Sequence, residues 1–425
     1  MTISRSARCF GAAFILVVAA AIAAACWLFW PAQREAAPPI DSVHASAERG
    51  RYLATIGNCT SCHTARDGKP FAGGVSFHTP FGVMYSTNIT PDPKTGIGQW
   101  SFDDFYQAMK HGMRPDGESL YPAFPYTSFA KLDDSDMASL YLYLQTVAPV
   151  AAPAPVNQLR FPFNLRFTLR AWNRLFHDPQ TFKADASKSA EWNRGAYLVE
   201  GLGHCGACHT PRNLLGAEKK DLALTGGTLV DAVRRDKYRT WSSVNLTSAP
   251  TGLAAWSADA IVAYLKHGEN DHAVLHGPMN EVVLNSTRYL DDADVRAIAS
   301  YLKALPANAQ AAGPVASTAQ LHDGEMGYTV HCGTCHLPTG LGDRGLGVTL
   351  AGNAIVQASD PAALINVILY APHLPPPPFV ADRSRMKPFG KWLSDEEVAD
   401  IASYLRGSFG NTAGAVNAEQ VQRQR

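Results

Sequence analysis

The sequence has no charge imbalance and little charge of either sign. Its 425 residues carry 37 Lys plus Arg against 37 Asp plus Glu, and charged residues make up 17% of the chain. Nucleic-acid binding generally requires a basic excess, so no nucleic-acid partner is predicted. Because 46% of the residues are hydrophobic, the chain can build an ordinary folded core, and its length predicts two to four domains.

Cysteine is scarce outside one repeated pattern. Six of the eight cysteines fall into three C-x-x-C-H motifs, which are Cys59-Thr-Ser-Cys62-His63, Cys205-Gly-Ala-Cys208-His209 and Cys332-Gly-Thr-Cys335-His336. This motif is typical of c-type haem: the thiols form thioethers and the histidine is the proximal iron ligand. A zinc site would need a second cysteine pair nearby, and a thioredoxin-like pair would not need the histidine. The sequence therefore predicts three covalently bound haem c groups.

A long uncharged apolar run occupies residues 9–30, after Arg5 and Arg8. Its length suffices for one membrane span, and the basic flank predicts that the rest of the chain lies on the periplasmic side of the inner (cytoplasmic) membrane. A cleaved signal peptide is the alternative. The run ends in Trp27, Phe29 and Trp30, which resemble an interfacial belt and favour an uncleaved anchor.

The chain also repeats the same helical pattern around each motif. A stretch with glycine and tyrosine precedes every motif, at 48–59, 193–205 and 323–332. Apolar helical periodicity behind acidic N-cap signals recurs at 132–144, 290–302 and 393–405. A middle helix is predicted at 100–112 and 256–268. These patterns predict an all-α fold of three tandem class I cytochrome c domains after an N-terminal transmembrane anchor.

Ala/Pro-rich linkers near residues 150 and 310 set the predicted domain boundaries. The segment between the first two domains mixes arginine with large aromatic residues. It is interpreted either as a strap packed on its neighbours or as an amphipathic surface segment. The predicted divisions are an anchor or signal with linker (1–45), domain 1 (46–150), the strap (151–190), domain 2 (191–308), domain 3 (316–410) and a disordered tail (411–425).

In a cytochrome c domain the second iron ligand precedes the last helix, and a methionine sulfur there raises the reduction potential. Met279 lies twelve residues after His267, and Met386 lies seven residues before Leu393. Both are predicted as distal iron ligands, with core packing as the alternative. The proline-rich stretch 372–379 is predicted to hold the loop before Met386.

In the first domain the same count arrives at Phe124, thirteen residues after His111. A phenyl ring cannot bind iron, so the distal ligand of the first haem stays open. Met113 is a weak candidate. Other side chains considered are Met109, Met84, His111 and His78, whereas Met137 is predicted to lie in the core. The hypothesis is that the first haem lacks a methionine ligand and has an apolar face covered by Phe124.

Three long stretches carry a family resemblance, namely 79–100, 191–217 and 277–287. With them, residues 46–410 resemble the triheme cytochrome c subunit of membrane-bound bacterial dehydrogenases. Members serve quinoprotein alcohol dehydrogenases, flavin-dependent gluconate, sorbitol and fructose dehydrogenases, and molybdenum hydroxylases acting on aldehydes or N-heterocycles such as nicotinate. In the alcohol dehydrogenase branch a methionine stands where this chain has Phe124. The resemblance implies a catalytic dehydrogenase subunit carrying flavin, pyrroloquinoline quinone or molybdopterin as partner, and ubiquinone as acceptor.

Haems with His/Met ligation have no open position for a substrate, so the predicted role is electron transfer and no catalytic residue is expected on this chain. The resemblance adds the direction, from a periplasmic dehydrogenase subunit to ubiquinone or the respiratory chain. A haem peroxidase acting at the first haem is one alternative. It would need polar acid/base groups on the distal side. A cytochrome subunit of a terminal oxidase is another.

Overall fold

The computed structural model describes residues 5–30, 35–234, 237–343, 345–372 and 386–425. The N-terminal part contains helices α1 to α6 and strands β1 and β2. These are α1 Arg5–Phe29, α2 Ala47–Ile56, α3 Cys59–His63, β1 Ser76–Thr79, β2 Gly82–Tyr85, α4 Phe102–His111, α5 Tyr126–Phe129 and α6 Asp134–Thr146.

The rest of the chain continues the mainly helical pattern. It contains β3 Gln158–Leu159, α7 Thr168–Phe176, α8 Ala190–Tyr197, α9 Gly206–His209, β4 Gly227–Arg234, β5 Lys237–Ser243, α10 Ala258–His267, α11 Met279–Asn285, α12 Asp292–Ala304, α13 Thr318–His331, α14 Gly333–His336, α15 Ala362–Tyr370, α16 Asp395–Gly407 and α17 Ala418–Gln422. Short 3-10 turns cover Ile40–Ser42, Lys220–Leu222 and Thr287–Tyr289, and a π turn covers Leu198–Leu202.

Three helix pairs repeat along the chain: α2 with α6, α8 with α12, and α13 with α16. We name the first, second and third units after these pairs. Each pair crosses at a glycine of its first helix, at Gly50, Gly195 and Gly324. A Cβ atom at these positions would lie 1.9, 2.0 and 2.1 Å from a backbone oxygen of the second helix. Only glycine permits this approach, so the glycine that precedes each C-x-x-C-H motif is a packing requirement.

The apolar core is divided unevenly among the units. One cluster of buried residues joins the first two units, with Leu53 and Leu140 from one and Leu198 and Leu302 from the other. A separate cluster fills the third unit. The first two units therefore share a single hydrophobic interior, which holds their two motifs in a fixed relation.

The expectation of an all-α fold is too narrow, because the described residues include two small antiparallel sheets. One has the order β1-β2-β3, and the other pairs β4 with β5. Alternating side chains in 227–234 and 237–243 suit a strand pair, but the prediction considered helical periods alone. The β4–β5 hairpin contacts α15 of the third unit, and β4 also contacts β1 of the first.

The segment between the first two units packs on both of them. The Trp172 indole N–H donates to the Leu215 carbonyl at 2.9 Å, and the Tyr126 hydroxyl donates to Asn173 at 2.6 Å. Near α1, the Arg174 guanidinium lies 5.1 Å from the Trp27 ring centroid. The interpretation as a packed strap thus agrees with these contacts, although Phe161 and Phe167 remain exposed.

The expectation of a disordered tail over 411–425 is wrong. Helix α17 begins with a capping box between Asn417 and Gln420. Val416 and Val421 are buried in the core of the third unit, and the buried Arg406 donates from Nε to the Gly414 carbonyl at 2.6 Å. Small and polar residues dominate the composition of residues 411–425. Two buried apolar side chains and one helix cap are nevertheless enough to order this segment.

Within the part of the chain that the structure describes, no helix combines the length and the apolar character needed to cross a membrane. The anchor over residues 9–30 stays a prediction.

Candidate haem-binding sites

Each C-x-x-C-H motif forms a short helical turn at the end of an N-terminal helix, namely α3, α9 and α14. The six cysteines of these turns form no disulfide. Burial raises the pKa of Cys59 and of Cys205 to about 12, and that of Cys332 to about 11. These half-buried thiols are neutral at physiological pH, unlike the low-pKa thiolates of redox centres, and their environment suits an apolar thioether.

The three motif histidines share one hydrogen bond. In each, Nδ1 lies at hydrogen-bonding distance from a backbone carbonyl: His63 to Thr87 at 2.7 Å, His209 to Val244 at 2.8 Å and His336 to Val348 at 2.8 Å. A carbonyl can only accept, so Nδ1 carries the proton and the lone pair of Nε2 is left for a metal. Burial also lowers the pKa of all three histidines, more than the carbonyls raise it. Neutral imidazoles with a fixed tautomer are suited to iron.

The second unit also offers groups that fit the acidic edge of a haem. The buried indole N–H groups of Trp241 and Trp256 find no acceptor among the described residues. Trp241 packs against Gly277, where a Cβ would lie 2.9 Å from the ring. A buried donor without an acceptor is costly, and haem propionates are acceptors of the required kind. The residues present therefore fit haem c.

Backbone hydrogen bonds establish which residue of the first unit corresponds to Met279. Helices α4 and α10 both end at a left-handed glycine, Gly112 and Gly268. The carbonyl of each glycine accepts a hydrogen bond, from Leu120 N at 2.7 Å and from Leu275 N at 2.6 Å. Four residues beyond these leucines lie Phe124 and Met279. The two backbone bonds, with the same spacing of four residues after each leucine, thus pair the two positions.

Met279 is half-buried and begins helix α11. Met386 is also half-buried and follows directly after residues 373–385, which lie outside the described residues together with most of the proline-rich stretch 372–379. Three residues beyond Met386, Phe389 N donates to the Ile368 carbonyl of α15 at 3.0 Å. This bond brings the chain after Met386 to the end of the middle helix. Iron ligation by Met279 and Met386 stays a prediction.

The other candidates of the first unit are buried or contact neighbouring side chains. Met84, Met109 and Met137 are at least nine-tenths buried, and Met109 and Met137 belong to the shared core as expected for Met137. The Met113 sulfur accepts a hydrogen bond from the Ser119 hydroxyl at 3.8 Å. The His78 ring packs against Tyr238 of the β4–β5 hairpin, with ring centroids 3.4 Å apart and the planes tilted by 31°.

The first two units touch each other at their candidate haem sites. From the end of α11, Asn285 Nδ2 donates to Ser61 Oγ at 2.9 Å, inside the first C-x-x-C-H turn. Residues 113–129, between the end of α4 and the end of α5, are named the first distal loop. In the opposite direction, Phe129 of this loop packs edge-on against His204, which precedes Cys205, with centroids 5.6 Å apart. The first C-x-x-C-H turn and the residue just before the second one therefore each contact the segment that precedes the last helix of the other unit.

Polar pairs reinforce this boundary with the same reciprocity. Arg49 and Arg194 each pair with the aspartate of their own unit, Asp136 at 2.9 Å and Asp294 at 2.7 Å. A tyrosine from the opposite unit then donates to the same carboxylate. These bonds are Tyr197 to Asp136 and Tyr52 to Asp294, both 2.8 Å. Burial raises the pKa of Asp294, but the hydrogen bonds and charge of Arg194 outweigh this and hold it below its usual range.

The third unit joins the others through the β4–β5 hairpin. Asn366 Nδ2 of α15 donates to the Thr240 carbonyl at 2.8 Å, and Ala363 N donates to Ser242 Oγ at 3.0 Å. Sequence reasoning missed this hairpin, the Tyr–Asp pairs and the indole donors. The tyrosines were visible as part of the repeat, but their partners lie more than sixty residues away and carry no local signal.

The repeated turns and histidines define a c-type cytochrome, whose three cysteine pairs fit three haems. Comparison with known families agrees. Residues 47–148 match the family described as cytochrome c, and residues 319–405 match the family described as cytochrome c oxidase, cbb3-type, subunit III.

Curated relatives identify the family more closely. The chain is 45% identical to a subunit of the nicotinate dehydrogenase of Pseudomonas putida over 86% of its length, but spans only 30% of that protein. It is 39% identical to the cytochrome c subunit of the quinone alcohol dehydrogenase of Gluconobacter oxydans, covering 91% of this chain and 83% of the relative. Identity to the gluconate 2-dehydrogenase cytochrome c subunit of Pantoea cypripedii is 39%, with 89% of both chains covered. The chain belongs to the cytochrome c subunits of membrane-bound dehydrogenases.

Proposed function

We propose that this chain is a membrane-anchored triheme subunit that relays electrons from a periplasmic dehydrogenase subunit to ubiquinone or the respiratory chain. When bound, haem c supplies a one-electron iron couple at each site. The observation that carries the proposal is the reciprocal contact between the first two units, in which the first C-x-x-C-H turn and the residue before the second one each contact the segment that precedes the last helix of the other unit. Such contacts, together with the shared core, hold two redox sites close together, which short-range electron transfer requires.

The proposed domains are three tandem class I cytochrome c domains at 46–150, 191–308 and 316–410. The glycine-centred helix pairs support this division, because each pair carries its own C-x-x-C-H turn. The proposed iron ligands are His63, His209 and His336 on the proximal side, with Met279 and Met386 on the distal side. The protein's part is to hold these groups, exclude water and fix the histidine tautomer.

The proposed location is the periplasmic face of the inner membrane, with residues 9–30 as the anchor. The described side chains of α1 support this, since Phe14, Ile15 and Leu16 are 67–70% exposed and such exposed apolar residues suit a lipid environment. Helix α7 lies beside the end of α1, with Phe29 and Phe167 rings 5.8 Å apart. The exposed Phe161, Phe163 and Phe167 just before α7 support a position of this segment along the membrane surface.

The proposed partner is a catalytic dehydrogenase subunit that carries flavin, pyrroloquinoline quinone or molybdopterin. This proposal is supported by the relatives of the chain, which are subunits of alcohol, fructose, gluconate and nicotinate dehydrogenases. Substrate oxidation would take place on the partner, because the sites on this chain are those of electron carriers. The proposed donors are therefore alcohols, sugars, aldehydes or N-heterocycles.

A cytochrome subunit of a terminal oxidase is a second candidate, favoured by the match of residues 319–405 to the cbb3-type subunit III family. That match covers the third unit alone, whereas the dehydrogenase relatives cover about nine-tenths of the chain. A haem peroxidase is less favoured. Phe124 and Phe129 pack against each other in the first distal loop and offer no acid or base for O–O cleavage.

The test is to solubilise the native membranes in mild detergent, isolate the haem-stained complex and identify its other chains. The purified complex is then given ethanol, gluconate, fructose or nicotinate, and reduction of a ubiquinone analogue is followed. We expect one donor to reduce quinone in wild type and in His322→Ala, whose side chain is exposed on α13, but not in His336→Ala. Co-purification with oxidase subunits, or a lone haem protein that turns over peroxide, would contradict the proposal.

A further inference from the structure

The first unit has no sulfur donor at the position where the second unit has Met279. The equivalence rests on the two backbone bonds from Leu120 N to Gly112 O and from Leu275 N to Gly268 O. These bonds give the loop after α4 and the loop after α10 the same register relative to the helix that precedes each. Phe124 then takes the place of the thioether, and a phenyl ring has no lone pair to donate to iron.

The methionine of the first distal loop, Met113, does not occupy the position that corresponds to Met279. Met113 follows directly after Gly112 and pairs with Ser119 in an isolated bridge, as Glu269 pairs with Val274 in the second unit. Its sulfur accepts the Ser119 hydroxyl. Met113 thus belongs to the start of the loop, and its counterpart in the second unit lies ten residues before Met279. His111 likewise corresponds to His267, the last residue of α10.

The surroundings of Phe124 are aromatic. Its ring packs edge-on against Phe129 at 5.3 Å between centroids, and Phe129 in turn packs against His204. The loop is held by short backbone bonds, including Tyr126 N to Phe124 O at 2.8 Å. An apolar wall of this kind disfavours charged ligands and suits small neutral molecules that bind ferrous iron.

His204 is the nitrogen donor that could compete. Burial lowers its pKa below the usual range, so it is neutral, and its Nδ1 bonds to the Leu202 carbonyl at 2.9 Å. That bond leaves the lone pair on Nε2. However, Phe129 contacts both the His204 ring and the Phe124 ring. It therefore lies between His204 and Phe124. A variant of His204 therefore distinguishes imidazole ligation from an open position.

We propose that the haem held by Cys59, Cys62 and His63 has no protein ligand on the side of Phe124, and that this position is a binding site for neutral diatomic gases such as carbon monoxide. The proposal rests on haem attachment, which the proposed function also requires. It does not depend on the identity of the dehydrogenase or of the electron acceptor. The two can therefore fail separately.

The experiment uses the detergent-solubilised complex, with the content of three haems verified by pyridine haemochrome. The reduced protein is titrated with carbon monoxide, and the ferric protein is examined by electron paramagnetic resonance. We expect about one carbon monoxide bound per three haems and one high-spin ferric signal. Phe124→Met should abolish both by supplying a sulfur. Met279→Phe should instead raise the stoichiometry to about two per three haems.

Met113→Leu is the matched control and should bind carbon monoxide as wild type does. The proposal is overturned if the wild-type complex binds no carbon monoxide and all three ferric haems are low-spin. If His204→Gln then opens one haem, His204 is the sixth ligand. If Met113→Leu opens it, Met113 is. Quinone reduction measured on the same samples reports the proposed function independently of these outcomes.

Discussion

The Tyr197 hydroxyl donates a hydrogen bond to the Asp136 carboxylate at 2.8 Å, and the two residues belong to different cytochrome units. The pair has a counterpart of the same length between Tyr52 and Asp294. Each tyrosine oxygen also accepts a backbone N–H from the opposite unit, Asp133 at 3.3 Å and Asp291 at 3.0 Å. The first two units are thus related by a pseudo-twofold arrangement. In both directions, polar contacts join the first helix of one unit to the start of the last helix of the other unit.

Tyr197→Phe should lower the free energy of unfolding of the first two units by about 1–3 kcal/mol, because a buried hydrogen bond to a charged group is lost and the Asp133 N–H loses its acceptor. Tyr52→Phe should have a similar effect. The measurement is denaturant unfolding followed by circular dichroism and by the haem absorption. Tyr289→Phe is the control, since Tyr289 is 56% exposed. Equal stability of Tyr197→Phe and this control would show that the boundary does not depend on the pair.

The stability of the same boundary should fall at acid pH. The pKa of Asp294 lies below its usual range in the folded protein, because Arg194 outweighs the effect of burial. A depressed carboxylate stabilises the fold above its unfolded pKa of about 4, and this contribution is lost as pH falls through the folded value. The difference in thermal midpoint between wild type and Asp294→Asn should therefore shrink from pH 6 to pH 3. Asp259→Asn, on an exposed side chain, should show little difference at either pH. If the difference in thermal midpoint between wild type and Asp294→Asn stayed constant with pH, the lowered pKa of Asp294 would be contradicted.

Local sequence signals predicted the helices well. Two of the three predicted caps of the last helices are present, with the Asp133 side chain accepting Asp136 N and Ser394 forming a capping box with Glu397. At the third, Asp291 makes no side-chain cap bond to α12. The periodic apolar positions became the two cores. These features depend on residues within one or two turns, so a single sequence contains them.

Contacts between distant residues could not be predicted in the same way. Nothing local to Tyr197 specifies Asp136, and nothing local to His209 specifies the Val244 carbonyl, which is 35 residues away. The tail was misjudged for a different reason. Its composition resembles that of disordered segments, but Val416 and Val421 contribute to a core supplied by the third unit.

The glycine at each helix crossing should tolerate no side chain. Gly195→Ala would place a Cβ 2.0 Å from the Ala297 carbonyl oxygen and 2.7 Å from Tyr301 Cβ, and backbone cannot yield as a flexible side chain can. We expect a loss of about 3 kcal/mol or more and an incomplete second haem site. Haem content per chain and thermal unfolding report this. Gly345→Ala is the control, since its nearest neighbour is a side-chain oxygen at 3.4 Å. Three haems and an unchanged midpoint in Gly195→Ala would mean that the helix pair is looser than the structure has it.

Removal of either predicted distal sulfur should lower one reduction potential and leave the fold intact. In Met279→Ala we expect a decrease on the order of 0.1 V, a fraction of the range over which axial ligands tune haem potentials. Met386→Ala should produce a comparable shift in a different haem, because Met386 belongs to the third unit. Potentiometric titration of the haem absorption band measures both. Met326→Ala is the control, since Met326 is 57% exposed on α13 and carries no predicted ligation. Neither methionine belongs to the two cores of buried side chains. A loss of stability without a shift in potential would therefore assign that methionine to packing. Its haem would then have no identified distal ligand, as is proposed for the first haem.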